Sequence, residues 1–302
     1  MINFNKGTKR PGRKVFALIP ILILGLTSNI SAAEESDHKE RAVLKVCADP
    51  HLMPFSNKDR EGLENKIAEL LAKELGAELK YEWFPQRMGF IRNTLRSEEH
   101  GKYKCDLVLS VPEHFELAAT TKPYYASTYS LVYVKGRGLD SVTKPDMLET
   151  LNNERKDIRF GLFDRGPAQL WVFQHNLMEN MVPYQFQMGD ARVNPTEIIL
   201  NDLLNGKFDA TIVWGPTAAY FAGQNKDKGE LVIIPLEDDS KLPEMKFVFN
   251  MSMAVRHADK EWKDQLNGFI DKYQEDINAI ISSYGIPIVE VIPKPKLALD
   301  DD

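Results

Sequence analysis

Residues able to do chemistry are scattered along this chain. It has no G-x-S-x-G, H-E-x-x-H, C-x-x-C or G-x-x-x-x-G-K run. An activated serine, a zinc-bound water, a redox dithiol and a phosphate cradle are therefore all unindicated. Gly136-x-Gly138 lacks a third glycine and precedes no clear helix, and six histidines lie without ligand spacing. His114 alone falls at a predicted strand mouth. The aromatics say more: Phe55, Trp83, Phe84, Tyr124, Tyr125, Trp171 and Trp214 sit at or near predicted strand mouths or helix starts. Such walls suit a flat or apolar ligand, or a protruding side chain of a partner. About half of them should instead seal cores, Trp83 and Tyr124 foremost. Arg87, Arg92 and Arg165 can supply cations for a polycarboxylate. Arg165 also precedes Gly166-Pro167, a helix start whose amides can hold an anion; the plainer alternative is a glycine-capped helix. The candidate binding set is Asp49, Phe55, Arg87, His114, Tyr125, Arg165, Trp171 and Trp214, with no catalytic residue and no metal ligand among them.

The elements that would position these residues follow from apolar periodicity. Leu44–Ala48 reads as a short strand ended by Asp49-Pro50, and Leu63, Ile67, Leu70, Leu71 and Leu75 as a helix stopped by Gly76. Leu79–Phe84 is a strand, Phe90, Ile91 and Leu95 mark a second helix, and Leu107–Leu109 is a third strand with a turn at Val111-Pro112. This β-α-β-α-β order predicts a parallel sheet whose ligands sit beyond the carboxyl ends of the strands. A β-rich run from Tyr129 to Val134 leads out of this lobe, and Lys135–Gly138 reads as the crossover. The second lobe holds a charged helix over 145–157, strands at Arg159–Leu162, Tyr184–Met188 and Phe208–Val213, a helix from Pro167 through Met178, and a helix opened by Asn194-Pro195. Met245–Val255 reads as the return crossing. Trp262, Leu266, Phe269, Ile270, Tyr273, Ile277 and Ile281 form a long amphipathic helix expected to pack on the first lobe. The fold class expected is thus α/β in two lobes joined by two crossovers: lobe 1 over 44–134 plus 247–290, lobe 2 over 137–246, and a loose acidic tail over 291–302.

At 302 residues, with 43% hydrophobic and 27% charged residues, the composition is globular. Lys6, Lys9, Arg10, Arg13 and Lys14 precede an apolar run, Val15–Leu26, and the small residues Ser31-Ala32-Ala33. The pattern predicts a cleaved secretory signal over 1–33, too short in its apolar part to anchor a membrane, followed by a flexible lead over 34–43. Removing that signal takes five positive charges and no negative ones from a net −6, leaving −11 over 269 residues. Such acidity opposes nucleic acid and anionic membranes and favours a basic partner; it also simply keeps an exported protein soluble. Export favours a disulfide between Cys47 and Cys105. Ordinary parallel register opposes it, because it would offset the two by several residues, on the order of 10 Å. The pairing stays open at this point.

Two α/β lobes behind an export signal resemble a type II periplasmic solute-binding protein over about residues 44–290. The local matches are Pro112-Glu113 with Pro123-Tyr124-Tyr125, Gly206–Ala210 with Pro216, and Met253–Arg256 leading to Trp262. In amino-acid receptors of that class an arginine follows Pro-Glu and an aspartate follows the second-lobe strand; His114 and Trp214 stand there instead. Both charged anchors for a zwitterion are missing, which argues against an amino-acid receptor. Cys47–Pro50 with Pro54–Asn57, Glu64–Ala68, and Trp83–Arg87 with Phe90–Leu95 resemble more specifically the quinoprotein-dehydrogenase-associated binding proteins, the methanol-oxidation J proteins. That resemblance implies a non-enzymatic periplasmic accessory protein of methanol dehydrogenase, acting in its assembly or activation. It would bind no cofactor itself, since the pyrroloquinoline quinone (PQQ) belongs to the partner. The alternative is a receptor delivering a small ligand, not an amino acid, or the quinone. An enzyme of this fold is the weakest reading, because no nucleophile, metal site or paired acid stands out.

Overall fold

The computed structural model describes residues 41–286 except 187, 188 and 191. The signal, most of the lead and the acidic tail lie outside the described residues. Of the lead, Arg41 is held: it pairs with Asp106 at 3.1 Å and lies 4.4 Å over the Trp262 ring.

In lobe 1 the chain forms β1 (Val43–Ala48), a small hairpin of β2 (His51–Leu52) and β3 (Ser56–Asn57), α1 (Leu63–Leu75), β4 (Glu78–Trp83), α2 (Phe90–Asn93), a second hairpin of β5 (Glu98–Glu99) and β6 (Lys102–Tyr103), β7 (Leu107–Pro112) and β8 (Ala119–Thr120). The long β9 (Tyr125–Val134) follows. Lobe 2 holds α3 (Met147–Arg155), β10 (Phe160–Phe163), α4 (Pro167–Gln174), a 3₁₀ turn at Met178–Asn180, β11 (Met181–Tyr184), α5 (Pro195–Leu204), β12 (Ala210–Trp214), α6 (Gly215–Gln224) and β13 (Leu231–Pro235). Then β14 (Val248–Val255) returns, and α7 (Lys260–Ser283) closes the chain.

The strand order is β11-β10-β12-β9-β14-β7-β1-β4, with β13 beside β9 and β8 beside β14. β1 runs parallel to β4 and β7, and β10 parallel to β11 and β12, so each lobe has the parallel centre expected of β-α-β units. Both faces of each sheet are covered. Leu63, Ile67 and Leu71 of α1 and Leu266, Ile270, Ile277 and Ile281 of α7 bury against one face of lobe 1, as their helical spacing requires. Phe90, Ile91, Leu95 and both cysteines cover the other face. Lobe 2 has two matching clusters, around Phe160 with Trp171 and around Phe208 with Leu203.

The structure departs from the sequence reading at one crossing, one strand and one helix, and it decides the cysteine pairing that the sequence left open. The crossing is not at Lys135–Gly138 but on β9 itself. Tyr125–Thr128 pair with Val248–Met251 of β14, whereas Tyr129–Tyr133 pair with β12. One uninterrupted, largely buried strand thus serves both lobes, and the glycines mark only its end. The strand expected at Tyr184–Met188 is β11, ending at Tyr184. It is the edge strand, where Pro183 is tolerated because no ladder bond is needed from it. The helix expected through Met178 stops at Gln174. Finally, Cys47 and Cys105 are disulfide-bonded, with Cα atoms 5.5 Å apart. The register argument against the bond assumed that Cys105 lies on the third strand, but β7 begins at Leu107, so the chain at Cys105 approaches the sheet from outside the ladder.

Candidate functional site

Loops follow the carboxyl ends of β1, β4 and β7, and the first two are tied together through one carboxylate. The Asp49 carboxylate accepts the N–H groups of His51 at 2.7 Å and Gln86 at 2.5 Å, tying the first loop to the second. Ser56 donates its hydroxyl to the Asp49 carbonyl at 2.9 Å, and Asn65 Oδ1 accepts from Asn57 and Gly62 N–H, both at 3.1 Å. Phe55 is 7% exposed and belongs to the lobe 1 core. Gly62 is required beside it, because a Cβ there would lie 2.1 Å from the Phe55 carbonyl oxygen. Asp49 and Phe55 therefore brace the mouth of the lobe from within.

Behind this mouth lies a polar cluster that the sequence did not announce. β14 pairs Ser252 with Val111 and Ala254 with Val108, so β7 carries one extra residue and bulges. Ser110 takes φ +51° there. Its N–H donates to Tyr124 Oη at 3.0 Å, and its hydroxyl lies 3.1 Å from the same oxygen. Glu64, in the first turn of α1 and 5% exposed, is the ionisable member of the cluster. Burial pushes its carboxyl up to about 8; the Ser110 hydroxyl opposes this, and the Asp49 charge adds to it. Glu64 is therefore a neutral acid at pH 7. Burial likewise raises the phenols of Tyr124 and Tyr125. Tyr125 is 2% exposed and packs on Tyr124 with ring centroids 5.0 Å apart.

The charged candidates are exposed. Arg87 lies in a turn after β4, where its N–H donates to the Pro85 carbonyl at 2.8 Å. His114 has φ +62° and a side chain 73% exposed, with Nε2 3.7 Å from Glu113. Arg165 has φ +61° and is exposed, and its N–H is already taken by Gln169 Oε1 at 2.7 Å. One amide near the α4 start is therefore occupied from within the chain. No hydrogen bond or ion pair among the described residues joins Arg87, His114 and Arg165 to one another.

The two tryptophans part company. Trp171 is 2% exposed in the lobe 2 core, stacked on His175 with centroids 4.1 Å apart. His175 is itself a buried clamp: Nδ1 lies 3.3 Å from Glu149 and Nε2 2.6 Å from Asp239. Trp214 ends β12 half-buried, edge-on to Tyr129 at 5.4 Å, with Phe249 at 5.9 Å. Tyr129 belongs to β9 and Phe249 to β14, so this aromatic cluster caps the two crossing strands. Of the other aromatics, Tyr124 is fully buried as expected, whereas Trp83 is half-buried and stacked on Tyr81 at 4.5 Å.

Beside these exposed cations the strand mouths present apolar side chains. Met88 follows β4, Leu117 follows β7 and Phe186 follows β11, and all are exposed, at 86%, 50% and 63%. Leu170 and Phe173, three residues apart on α4, are exposed as well. Phe186 stands edge-on to Phe163, the last residue of β10, at 5.4 Å. Among the described residues no group of three His, Cys, Asp or Glu is placed to hold a metal ion, and no helix is long and apolar enough to cross a membrane.

Two α/β lobes on shared crossing strands, with loops gathered at the strand mouths, define a type II binding-protein architecture. The chain belongs to the bacterial extracellular solute-binding proteins, family 3, which it matches over residues 44–286. The proteins it resembles include J proteins. It is 25% identical over 280 residues to Protein MoxJ of Methylorubrum extorquens, covering 88% of each chain. To Protein MoxJ of Paracoccus denitrificans it is 25% identical over 260 residues, covering 82% of this chain and 89% of the other. The crystal structure of periplasmic binding protein XoxJ from Methylobacterium extorquens AM1 is 31% identical, with a TM-score of 0.65, covering 82% of this chain and all of that one. The chain is thus a MoxJ-like type II binding protein.

Proposed function

We propose that this protein is a non-enzymatic periplasmic accessory factor of PQQ-dependent methanol dehydrogenase, acting in assembly or activation of that enzyme through protein contact. The observation that carries the reading is the state of the strand mouths. Asp49 and Ser56 are engaged within the chain, the two positions that would anchor a zwitterion hold an exposed His114 and a half-buried Trp214, and the rim exposes Met88, Leu117 and Phe186. Apolar side chains at a rim suit a protein surface better than a small polar solute. The likeness to J proteins supports methanol dehydrogenase as the partner, and its quinone would not be held by this chain. Its acidity adds salt-sensitive attraction to a basic subunit.

The test is binding of residues 34–302 to purified methanol dehydrogenase, with and without its quinone, at low and moderate salt. Binding that weakens with salt and differs between the two forms supports the reading. No binding under any of these conditions overturns it and moves the weight to the second reading, a solute receptor, which membership of family 3 favours. Its mark is compaction in solution scattering on addition of a ligand, the quinone included.

A further inference from the structure

At the far edge of lobe 1, away from the strand mouths, the sign of the surface reverses. β1 and β4 lie in parallel register with Lys45 opposite Lys80, two like charges side by side on neighbouring strands. Such pairs repel and persist where something else is gained from them. The hairpin β5–β6 adds Lys102, and Lys104 follows it, so that the four lysines line one groove of about 540 Å³. The carboxylates in this lining are Glu82 and Glu99. Glu82 is engaged by Lys104 at 3.5 Å, and Lys80 reaches Glu78 at 3.0 Å. Lys45 meets a carbonyl, that of Tyr103 at 3.4 Å, and Lys102 stands across the hairpin from Glu99. The lining thus sets four lysines against two glutamates, a local excess of positive charge on a chain whose net charge is −6.

The groove is also built in advance. His100 and Gly101 at the hairpin tip have φ +52° and +72°, the pair of positive values that a tight two-residue turn needs. The Tyr103 ring at the base of the hairpin is held by Arg256, whose guanidinium lies 4.0 Å over it, and Arg256 is fixed in turn by Asp106 and Asp259. A fixed wall loses little freedom when a ligand docks. Small-molecule sites are mostly apolar and enclosed; this lining is mostly charged, on a sheet edge, and fits a chain of carboxylates better.

We infer that this groove is a second docking surface that takes an acidic segment of a partner polypeptide. It is independent of the strand-mouth reading, and it gives an acidic protein a place to hold an acidic partner.

The probe is a fluorescein-labelled hexaglutamate peptide, titrated with the full chain by anisotropy at 20, 100 and 300 mM salt. The expected result is saturable binding that weakens at least tenfold from lowest to highest salt. It should weaken at least tenfold in the double variant Lys80→Glu with Lys102→Glu, with the melting temperature unchanged. A control with the same change of net charge, Lys226→Glu with Lys228→Glu on lobe 2, should keep wild-type affinity. Equal losses in both double variants would overturn the inference, since overall charge alone would then explain the binding; so would absence of binding in the wild type. Inorganic phosphate or anionic vesicles that bind the wild type and lose affinity in the groove variant, with no peptide binding, would also overturn it, by making the groove a site for simple anions or lipid. Methanol dehydrogenase is not used in the assay, so failure here leaves the strand-mouth proposal standing.

Discussion

Glu64→Gln tests the neutral carboxyl behind the lobe 1 strand mouths. In the unfolded chain this carboxyl titrates near 4.5, and in the folded protein burial moves it to about 8. Below pH 4.5 both states hold the proton, and there is no penalty. Between the two values the unfolded state gives up its proton and the folded state keeps it, so stability falls as pH rises. Above pH 8 both are ionised, and the penalty stays constant. At about 1.36 kcal/mol per pH unit, the loss from pH 4.5 to pH 7 is roughly 3 kcal/mol. Glutamine keeps the shape of the protonated acid and cannot ionise, so the variant should match the wild type near pH 4.5 and exceed it by roughly 3 kcal/mol at pH 7. Urea unfolding of both proteins from pH 4.5 to 8.5, with the disulfide intact, reads this as a difference in midpoint at constant slope. Other titrations are shared and cancel in the comparison. Parallel pH profiles, or a variant less stable than wild type at pH 8, would show that Glu64 is ionised in the folded state and refute the reasoning.

Reduction of Cys47–Cys105, or Cys105→Ser with Cys47→Ser, releases a loop with a sequence separation of 58 and should lower stability by about 4 kcal/mol on the chain-entropy estimate, measured by thermal melting with and without reductant. His175→Gln leaves Glu149 and Asp239 without the ring between them and should cost on the order of 2–3 kcal/mol at neutral pH. Burial opposes ionisation of Asp239, yet the His175 ring and the Lys241 N–H hold its carboxyl below the usual range. The wild type should therefore lose this stability as pH falls through the lowered folded value, and the variant should show a flatter acid limb in the same melts. Met88→Asp with Phe186→Asp should weaken binding to methanol dehydrogenase at least tenfold while leaving the melting temperature unchanged, since both side chains are exposed.

Much of the fold was legible because it rests on local periodicity. Leu63–Leu75 with Gly76, the Asn194-Pro195 helix start and the amphipathic run from Trp262 to Ile281 all stand where spacing and caps put them. Illegible were features set by partners distant in sequence. That one strand, Tyr125–Val134, belongs to two lobes depends on Val248–Met251 and on Ala210–Trp214, which local pattern cannot show. The hairpins β2–β3 and β5–β6 are two residues a side and carry no hydrophobic alternation to read. The helix Gly215–Gln224 starts immediately after a strand, so no loop composition separated the two.

The site was legible in type but not in depth, because strand-mouth position does not say which way a side chain faces. Asp49, Phe55, Tyr125 and Trp171 were expected to line a cleft and are spent inside the protein; Arg87, His114 and Arg165 face solvent. Glu64 entered the sequence reading only as part of a matching run, and its burial depends on a bulge at Ser110 that only the pairing with Ser252 and Ala254 reveals. This division has a functional consequence. A solute receptor places a few polar groups to fix its ligand; here Asp49 ties the first two mouth loops together, and a neutral acid is sealed behind them. Outward at the rim are methionine, leucine and phenylalanine beside Arg87, His114 and Arg165, and lysines line the far edge of the sheet. On the two proposals made above, those groups would meet another polypeptide, one surface by apolar contact and the other by charge.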